Sequence, residues 1–446
     1  MRSPRSASRR TSVARHKSIG IPQQFASMIS TRTLNTLAWY AGMTKRRRKV
    51  EPAALFWTIV LAFGTGREKS LAALRRAYQK STGALLVPSA FYDRFTPQLA
   101  KFFQLAVGNL LASREKVEGK LGGLLASFRD VILTDSTLVR LHDLLERSFP
   151  ACRTNHTRAS AKLHVVMSVT GKGPCSVKLT SGRQHDGPVF KVGRWVKDRL
   201  LMFDLGYFRY QLFDRIDQHG GYFISRLKEN ANPLITGAAQ TSDRVGLVGQ
   251  RLKNVLGRLR RKELDVEVQV AFRRRAYVGT RSGAHRNLRL VAVRHAEMGR
   301  YHLYVTNIPP ERLSASQVAL VYRSRWQIEL LFKEMKSHYR LEDMPSRKKH
   351  IVETLLFASV VTLLTSRRLL QAVREKLRDG HRSVPEGRWA AVFSSVATQI
   401  LDLLMAPAKI ARAMARWVEA MLLHEAVDPN VSRQLLMARV QNGDGR

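Results

Sequence analysis

Between residues 131 and 225 the chain alternates short apolar runs of strand type with segments of helical period, and this restricts it to a mixed α/β layer structure. Val131-Ile132-Leu133 reads as a buried strand ending at Thr134-Asp135. Residues 163–169 and 175–180 read as two strands around the turn Thr170-Gly171-Lys172-Gly173, a hairpin pattern. A helix is expected to start near Pro188. It is followed by the apolar run Leu200-Leu201-Met202-Phe203, which ends in an acid, Asp204. A helix over about 207–219 and a strand Tyr222-Phe223-Ile224-Ser225 complete the alternation.

The flanks read differently. With 446 residues the chain is too long for one ordinary core, and two to four units are expected. Residues 1–20, rich in Ser and Arg and without apolar period, read as a disordered basic arm. Residues 21–125 carry helical periodicity and read as a separate helical domain. It contains Lys45-Arg46-Arg47-Arg48-Lys49 and the segment Ser89-Ala90-Phe91-Tyr92-Asp93-Arg94-Phe95, both suited to gripping DNA and both equally explained by a solvated helix face. After Asn230 the pattern breaks. The two-residue period of Leu264-Asp265-Val266-Glu267-Val268-Gln269-Val270, with further strand signal at 288–293 and 301–305, predicts a β-rich insertion over about 231–307. Within it, residues 251–289 hold twelve Lys or Arg against three acids, a rim that faces either DNA or solvent. Helical signal returns at Ser314, so that a catalytic unit over 126–345 is followed by a helical region over 346–446 with a frayed tail at 442–445.

Charge selects the partner. Seventy-six Lys plus Arg against 34 Asp plus Glu give a formal net charge of +42, an excess beyond what solubility requires and one that binding to a polyanion relieves. Nucleic acid is the expected partner, and a neutral sugar substrate is disfavoured. The longest apolar stretch, residues 355–364, is interrupted by Ser359 and Thr362 and falls short of the roughly 20 residues that span a bilayer, so no membrane segment is expected. Cys152 and Cys175 match neither a metal knuckle nor a disulfide framework, and a reducing cytoplasmic location is expected.

Two features carry chemistry. Asp135 and Asp204 each follow an apolar run expected to be a central strand; adjacent buried carboxylates repel unless a cation lies between them, although Asp is also common as a turn or cap residue after a strand. The second feature is an expected helix through residues 322–336. At about 100° per residue, Tyr322, Arg325, Glu329, Lys333 and Lys336 fall within about 80° of one another with Trp326 beside them, while Val321, Ile328, Leu331, Phe332 and Met335 gather opposite. A plain amphipathic helix with a salt-bridged solvent face gives the same pattern. Glu334 points about 120° away from Tyr322, whereas Glu329 points into the basic group, which makes Glu329 the better third ligand. A carboxylate among Arg325, Lys333 and Lys336 suits a phosphodiester site.

Tyr322, Arg325, Glu329 and Lys336, spaced by two, three and six residues, resemble the tyrosine, arginine, glutamate and lysine signature of bacterial insertion-sequence DDE transposases of the IS-four-like family. Asp135-Ser136-Thr137 resembles that family's first-aspartate motif and Asp204-Leu205-Gly206-Tyr207 its second, in the expected order, with the likeness running over about residues 125–345. The resemblance implies a ribonuclease H-like catalytic core with a β-rich insertion, flanked by helical regions. It implies that Asp135, Asp204 and Glu329 bind two Mg²⁺ or Mn²⁺ ions, that Tyr322, Arg325 and Lys336 clamp phosphates near the element end, and that Trp326 stacks or packs there. The implied function is metal-dependent cleavage of double-stranded DNA at insertion-sequence ends and strand transfer into target DNA, by a homodimer on the DNA. A catalytically inactive DNA-binding regulator on the same scaffold and a nuclease that cuts without joining are the rival readings.

Overall fold

The structure is a computed structural model that describes residues 18–44, 50–68, 70–114, 121–152, 157–238, 246–274, 276–294, 300–377 and 383–428. The arm up to residue 17, the basic cluster 45–49 and the tail 442–445 lie outside the described residues.

Among the described residues nine strands form one mixed sheet: β1 (Asp130–Arg140), β2 (Ser160–Ser168), β3 (Gly173–Ser181), β4 (Arg199–Phe203), β5 (Tyr222–Arg226), β6 (Leu234–Ala238), β7 (Glu263–Arg273), β8 (Gly283–Arg294) and β9 (Tyr301–Thr306). Their order is β3-β2-β1-β4-β5-β9-β8-β7-β6. β1 pairs with β4, and β4 with β5, in parallel; the remaining pairs are antiparallel. The apolar run of β4 is explained by burial on both faces: Leu200 and Met202 enter one core, Leu201 and Phe203 the other. β7 has one buried face, Leu264, Val266, Val268 and Val270, as its period of two requires. Among the described residues, the 231–307 segment carries β6 to β9. It does not stand apart, because β9 pairs with β5 and extends the same sheet.

The helices are α1 (Ile21–Met28), α2 (Thr31–Tyr40), α3 (Pro52–Thr58), α4 (Leu71–Thr82), α5 (Pro88–Tyr92), α6 (Pro97–Arg114), α7 (Asp186–Val189), α8 (Tyr210–Gln218), α9 (Leu252–Leu256), α10 (Ala315–Arg323), α11 (Trp326–His338), α12 (Lys349–Leu377), α13 (Glu386–Met405) and α14 (Ala408–Glu425). The expectation of a separate N-terminal helical domain is corrected. Helices from both ends of the chain share one hydrophobic core, which also covers one face of β1, β2 and β4. Polar contacts tie the ends together: Arg67 donates to the carbonyls of Ser394 and Ser395, Ser81 to Asp402, and the backbone N–H groups of Ile19 and Gly20 to Glu419.

α12 is 29 residues long, and by length and composition it could cross a membrane; 83% of its apolar window is covered by the rest of the fold. Ser359 and Thr362 do not interrupt its apolar character as expected, because each is buried and donates its hydroxyl to the carbonyl four residues back, Leu355 and Ala358. Thr362 also donates to the carbonyl of Val60, in the single π-helical turn Ile59–Phe63 that extends α3. There the two helices come so close that a Cβ on Gly64 would lie 2.0 Å from Thr362 Oγ1 and 2.5 Å from the Val60 carbonyl. Gly64→Ala is therefore expected to cost about 1–3 kcal/mol by overpacking, read as a lowered denaturation midpoint. An unchanged midpoint would contradict this close approach.

Candidate active site

The parallel register of β1 with β4 sets the first two acids level. Thr134 pairs with Phe203 as the last bonded pair, so Asp135 and Asp204 are the next residues along each chain. β1 does not end at Asp135, as the apolar run suggested; it continues to Arg140, with Thr137 and Val139 buried, so Asp135 sits inside a strand held by β2. Its Oδ1 accepts the Ser136 N–H at 2.7 Å.

The third acid comes from α11, and here the expected continuous helix is two. α10 ends at Arg323 and α11 begins at Trp326. At the break Ser324 returns its hydroxyl to the Val321 carbonyl, and Arg325, Gln327 and Ile328 donate to carbonyls three residues back, which tightens the turn. The tighter turn takes Tyr322 off the polar stripe. Tyr322 is buried, and its hydroxyl donates to the Phe203 carbonyl at 2.9 Å, immediately before Asp204. Burial pushes its phenol up to about 12. Its place on the polar stripe is corrected; it joins α10 to the end of β4.

Of the remaining expected residues, Arg325 joins Asp135 and Glu329. Arg325 spans the site, its Nη2 donating to Glu329 Oε1 at 2.5 Å and its Nη1 lying 3.8 Å from Asp135 Oδ2, with the guanidinium over the Tyr322 ring. Its Nε and Nη1 are buried without a hydrogen-bond acceptor among the described residues. Trp326 is 59% exposed, Lys333 is exposed, and Lys336 pairs with Glu342 at 2.7 Å. Glu334 lies on the buried side, as its angle implied, in an ion pair with Arg367. Among the described residues no three His, Cys, Asp or Glu side chains are grouped to hold a metal ion directly; Arg325 bridges Asp135 and Glu329 instead.

Sequence reasoning missed Asp186. Its carboxylate accepts from Ser136 Oγ at 2.7 Å and lies 3.2 Å from His164 Nδ1 and 3.4 Å from Lys162 Nζ. Burial opposes its charge, but His164, Ser136 and Lys162 outweigh that and hold it at about 2. In sequence it is an acid in the connection between β3 and β4, with no local signal. Within the basic rim over 251–289, Arg274 and Arg286 pair with Asp214, and Arg289 pairs with Asp265 at 2.6 Å.

Asp135 is pushed up to about 6, chiefly by burial and further by the charges of Asp204 and Glu329, against the lowering effect of the Ser136 N–H and Arg325. A folded-state value above the ordinary 3.8 means that the native protein holds the extra proton between the two, so stability is lost as pH rises from about 4 through 6. Asp135→Asn removes that penalty. In EDTA its stability advantage over wild type should be near zero at about pH 4 and on the order of 2–3 kcal/mol at about pH 7. A difference that does not grow with pH would contradict a strained Asp135.

The family profile described as the transposase DDE domain matches residues 126–365. The chain is 22% identical over 390 residues to the transposase for insertion sequence element IS231F of Bacillus thuringiensis subsp. israelensis, covering 80% of each. It is 22% identical over 325 residues to the transposase for IS1151 of Clostridium perfringens, covering 66% of this chain and 69% of that one. Among solved structures it is similar to the piggyBac transposase synaptic complex with hairpin DNA, at a TM-score of 0.43 and 10% identity over 92% of this chain and 86% of that one. The profile covers more than half of the chain and contains all three acids and the helix pair that carries Arg325, and the protein belongs to the DDE transposases of bacterial insertion sequences, in the IS-four-like group.

Proposed function

We propose that Asp135, Asp204 and Glu329 form the metal-binding and catalytic site of a transposase that cuts double-stranded DNA at the ends of its element and joins those ends to target DNA. The geometry that supports this reading is that the parallel register of β1 with β4 sets Asp204 level with Asp135 and α11 brings Glu329 to the same carboxylate, so that burial first, and then the charges of Asp204 and Glu329, raise the Asp135 carboxyl. Such a set is short of positive charge. Its donors are all carboxylate oxygens, the chemistry that suits Mg²⁺ or Mn²⁺, and Arg325 supplies the compensating charge between Asp135 and Glu329. Bound there, two such ions would activate the attacking oxygen and stabilise the leaving oxygen of an in-line displacement.

The chain's own residues do the rest. The Ser136 N–H orients Asp135, and the Tyr322 hydroxyl holds the carbonyl of Phe203 and so the start of the Asp204 turn. The Nε and Nη1 of Arg325 are buried without a hydrogen-bond acceptor among the described residues, which suits the side chain to a phosphate oxygen once it leaves the carboxylates. Lys333 and Lys336 add charge along α11, and the exposed Trp326 offers a flat face to the DNA. The strand order β3-β2-β1-β4-β5 with β1, β4 and β5 parallel supports a ribonuclease H-like core, to which β6–β9 are the insertion. We assign residues 21–125 to DNA binding and 126–345 to catalysis, followed by the C-terminal helical region 346–446, and take a cytoplasmic homodimer on the DNA as the working form. The presence of all three acids favours an active enzyme over a regulator.

Labelled duplexes carrying the element ends, incubated with Mg²⁺ or EDTA, test this directly. Asp135→Ala, Asp204→Ala and Glu329→Ala should each reduce metal-dependent cutting to background while DNA binding stays within about threefold of wild type. Wild-type cutting by any of the three would remove that residue from the site. Arg325→Ala should slow end processing, and unchanged single-turnover kinetics would exclude it from phosphate binding. Product joined to a target plasmid distinguishes a transposase from a nuclease that only cuts.

A further inference from the structure

Alternation along β1 puts Ser136 on the face opposite Asp135, since Val131 and Leu133 enter one core and Ile132 the other. Against that far face lies Asp186, the first residue of the one-turn helix α7, from the connection between β3 and β4. Its side chain is 20% exposed and is held from three strand positions: Ser136 on β1, and Lys162 and His164 on β2. The β2 partners are fixed in turn, His164 Nε2 by Thr180 Oγ1 at 2.8 Å and Lys162 Nζ by the Gln184 carbonyl at 2.8 Å. On its other side Asp186 reaches the turn after Asp204, where a Cβ on Gly206 would lie 3.5 Å from its Oδ2.

We propose that Asp186 is the positioning residue of the two catalytic aspartates, holding Ser136 by its hydroxyl so that the Ser136 N–H fixes Asp135 Oδ1, and bracing the Gly206 turn that follows Asp204. The linkage is short, and every step of it is a described contact: Asp186 Oδ1 to Ser136 Oγ at 2.7 Å, then Ser136 N–H to Asp135 Oδ1 at 2.7 Å. Carboxylates that bind metal need such outer partners, because a ligand free to rotate pays orientational entropy each time the ion binds. The proposal rests on the reading of Asp135 and Asp204 as metal ligands.

Mn²⁺ titration of the full-length, DNA-free protein, with free ion read by electron paramagnetic resonance, tests it for wild type, Asp186→Ala, Asp186→Asn, Ser136→Ala, the Asp186→Ala/Ser136→Ala pair and Asp135→Asn. Asp186→Ala and Ser136→Ala are each expected to weaken Mn²⁺ binding about tenfold or more. The pair should be little worse than either alone, because both break one chain of contacts. Asp186→Asn keeps an acceptor for Ser136 Oγ and should lose less than Asp186→Ala, which a general loss of folding would not reproduce; circular dichroism confirms that each variant is folded. Wild-type Mn²⁺ affinity in Asp186→Ala, alongside lost binding in Asp135→Asn, overturns the positioning role alone. Additive losses in the pair also overturn it. Unchanged binding in Asp135→Asn overturns the metal reading and this proposal with it.

Discussion

The parallel pairing of β1 with β4 is the constraint on which the rest depends. It sets two aspartates level on neighbouring strands, and α11 adds a third carboxylate, Glu329. Like charges half-removed from water are costly, and the elements around the site can be understood as responses to that cost. The Ser136 N–H donates to Asp135, Arg325 lies between Asp135 and Glu329, and Lys162 and His164 offset Asp186 behind the strand. An arginine is well matched to this place, since its planar fork can face two carboxylates at once and keeps its charge when partly buried.

Precision in the site comes from the helical layer. α11 carries Glu329 on one side and, on the other, the buried Glu334, which pairs with Arg367 of α12; Arg367 also pairs with Glu386 of α13. Tyr339, at the end of α11, shares a hydrogen bond with Ser366, which in turn accepts from Trp389 Nε1 at 2.9 Å. Removing one member of a buried pair such as Glu334–Arg367 leaves an uncompensated charge, so the pair ties α11 to α12. The two ends of the chain supply this layer together. The catalytic sheet therefore rests on helices that are hundreds of residues apart in sequence.

What could be read from sequence were features with a local signature. The apolar runs before Asp135 and Asp204, the hairpin around Thr170, the period of two at 264–270 and the buried face Ile328, Leu331, Phe332 and Met335 all follow from side-chain alternation, and the structure has them. The continuation of β1 past Asp135 was also written locally, in the alternation of Thr137 and Val139, but the acid masked it. The break between α10 and α11 was not legible, because Ser324 and Arg325 are both compatible with a helix and the turn depends on a hydroxyl finding its carbonyl. Asp186, the internal pairs of Arg274, Arg286 and Arg289, and the shared core of the terminal helices depend on partners distant in sequence, and no periodicity encodes them.

Three carboxylates, one on β1, one directly after β4 and one on α11, are assigned to shared divalent metal. Anomalous scattering at the manganese edge, from crystals of the protein grown with Mn²⁺ and a duplex of its element end, measures that directly. Manganese peaks within about 2.0–2.6 Å of carboxylate oxygens of Asp135, Asp204 and Glu329, with Arg325 released from Glu329 to a DNA phosphate, are the expected result. Manganese bound elsewhere, with Arg325 still joining Asp135 to Glu329 in the DNA complex, would contradict it.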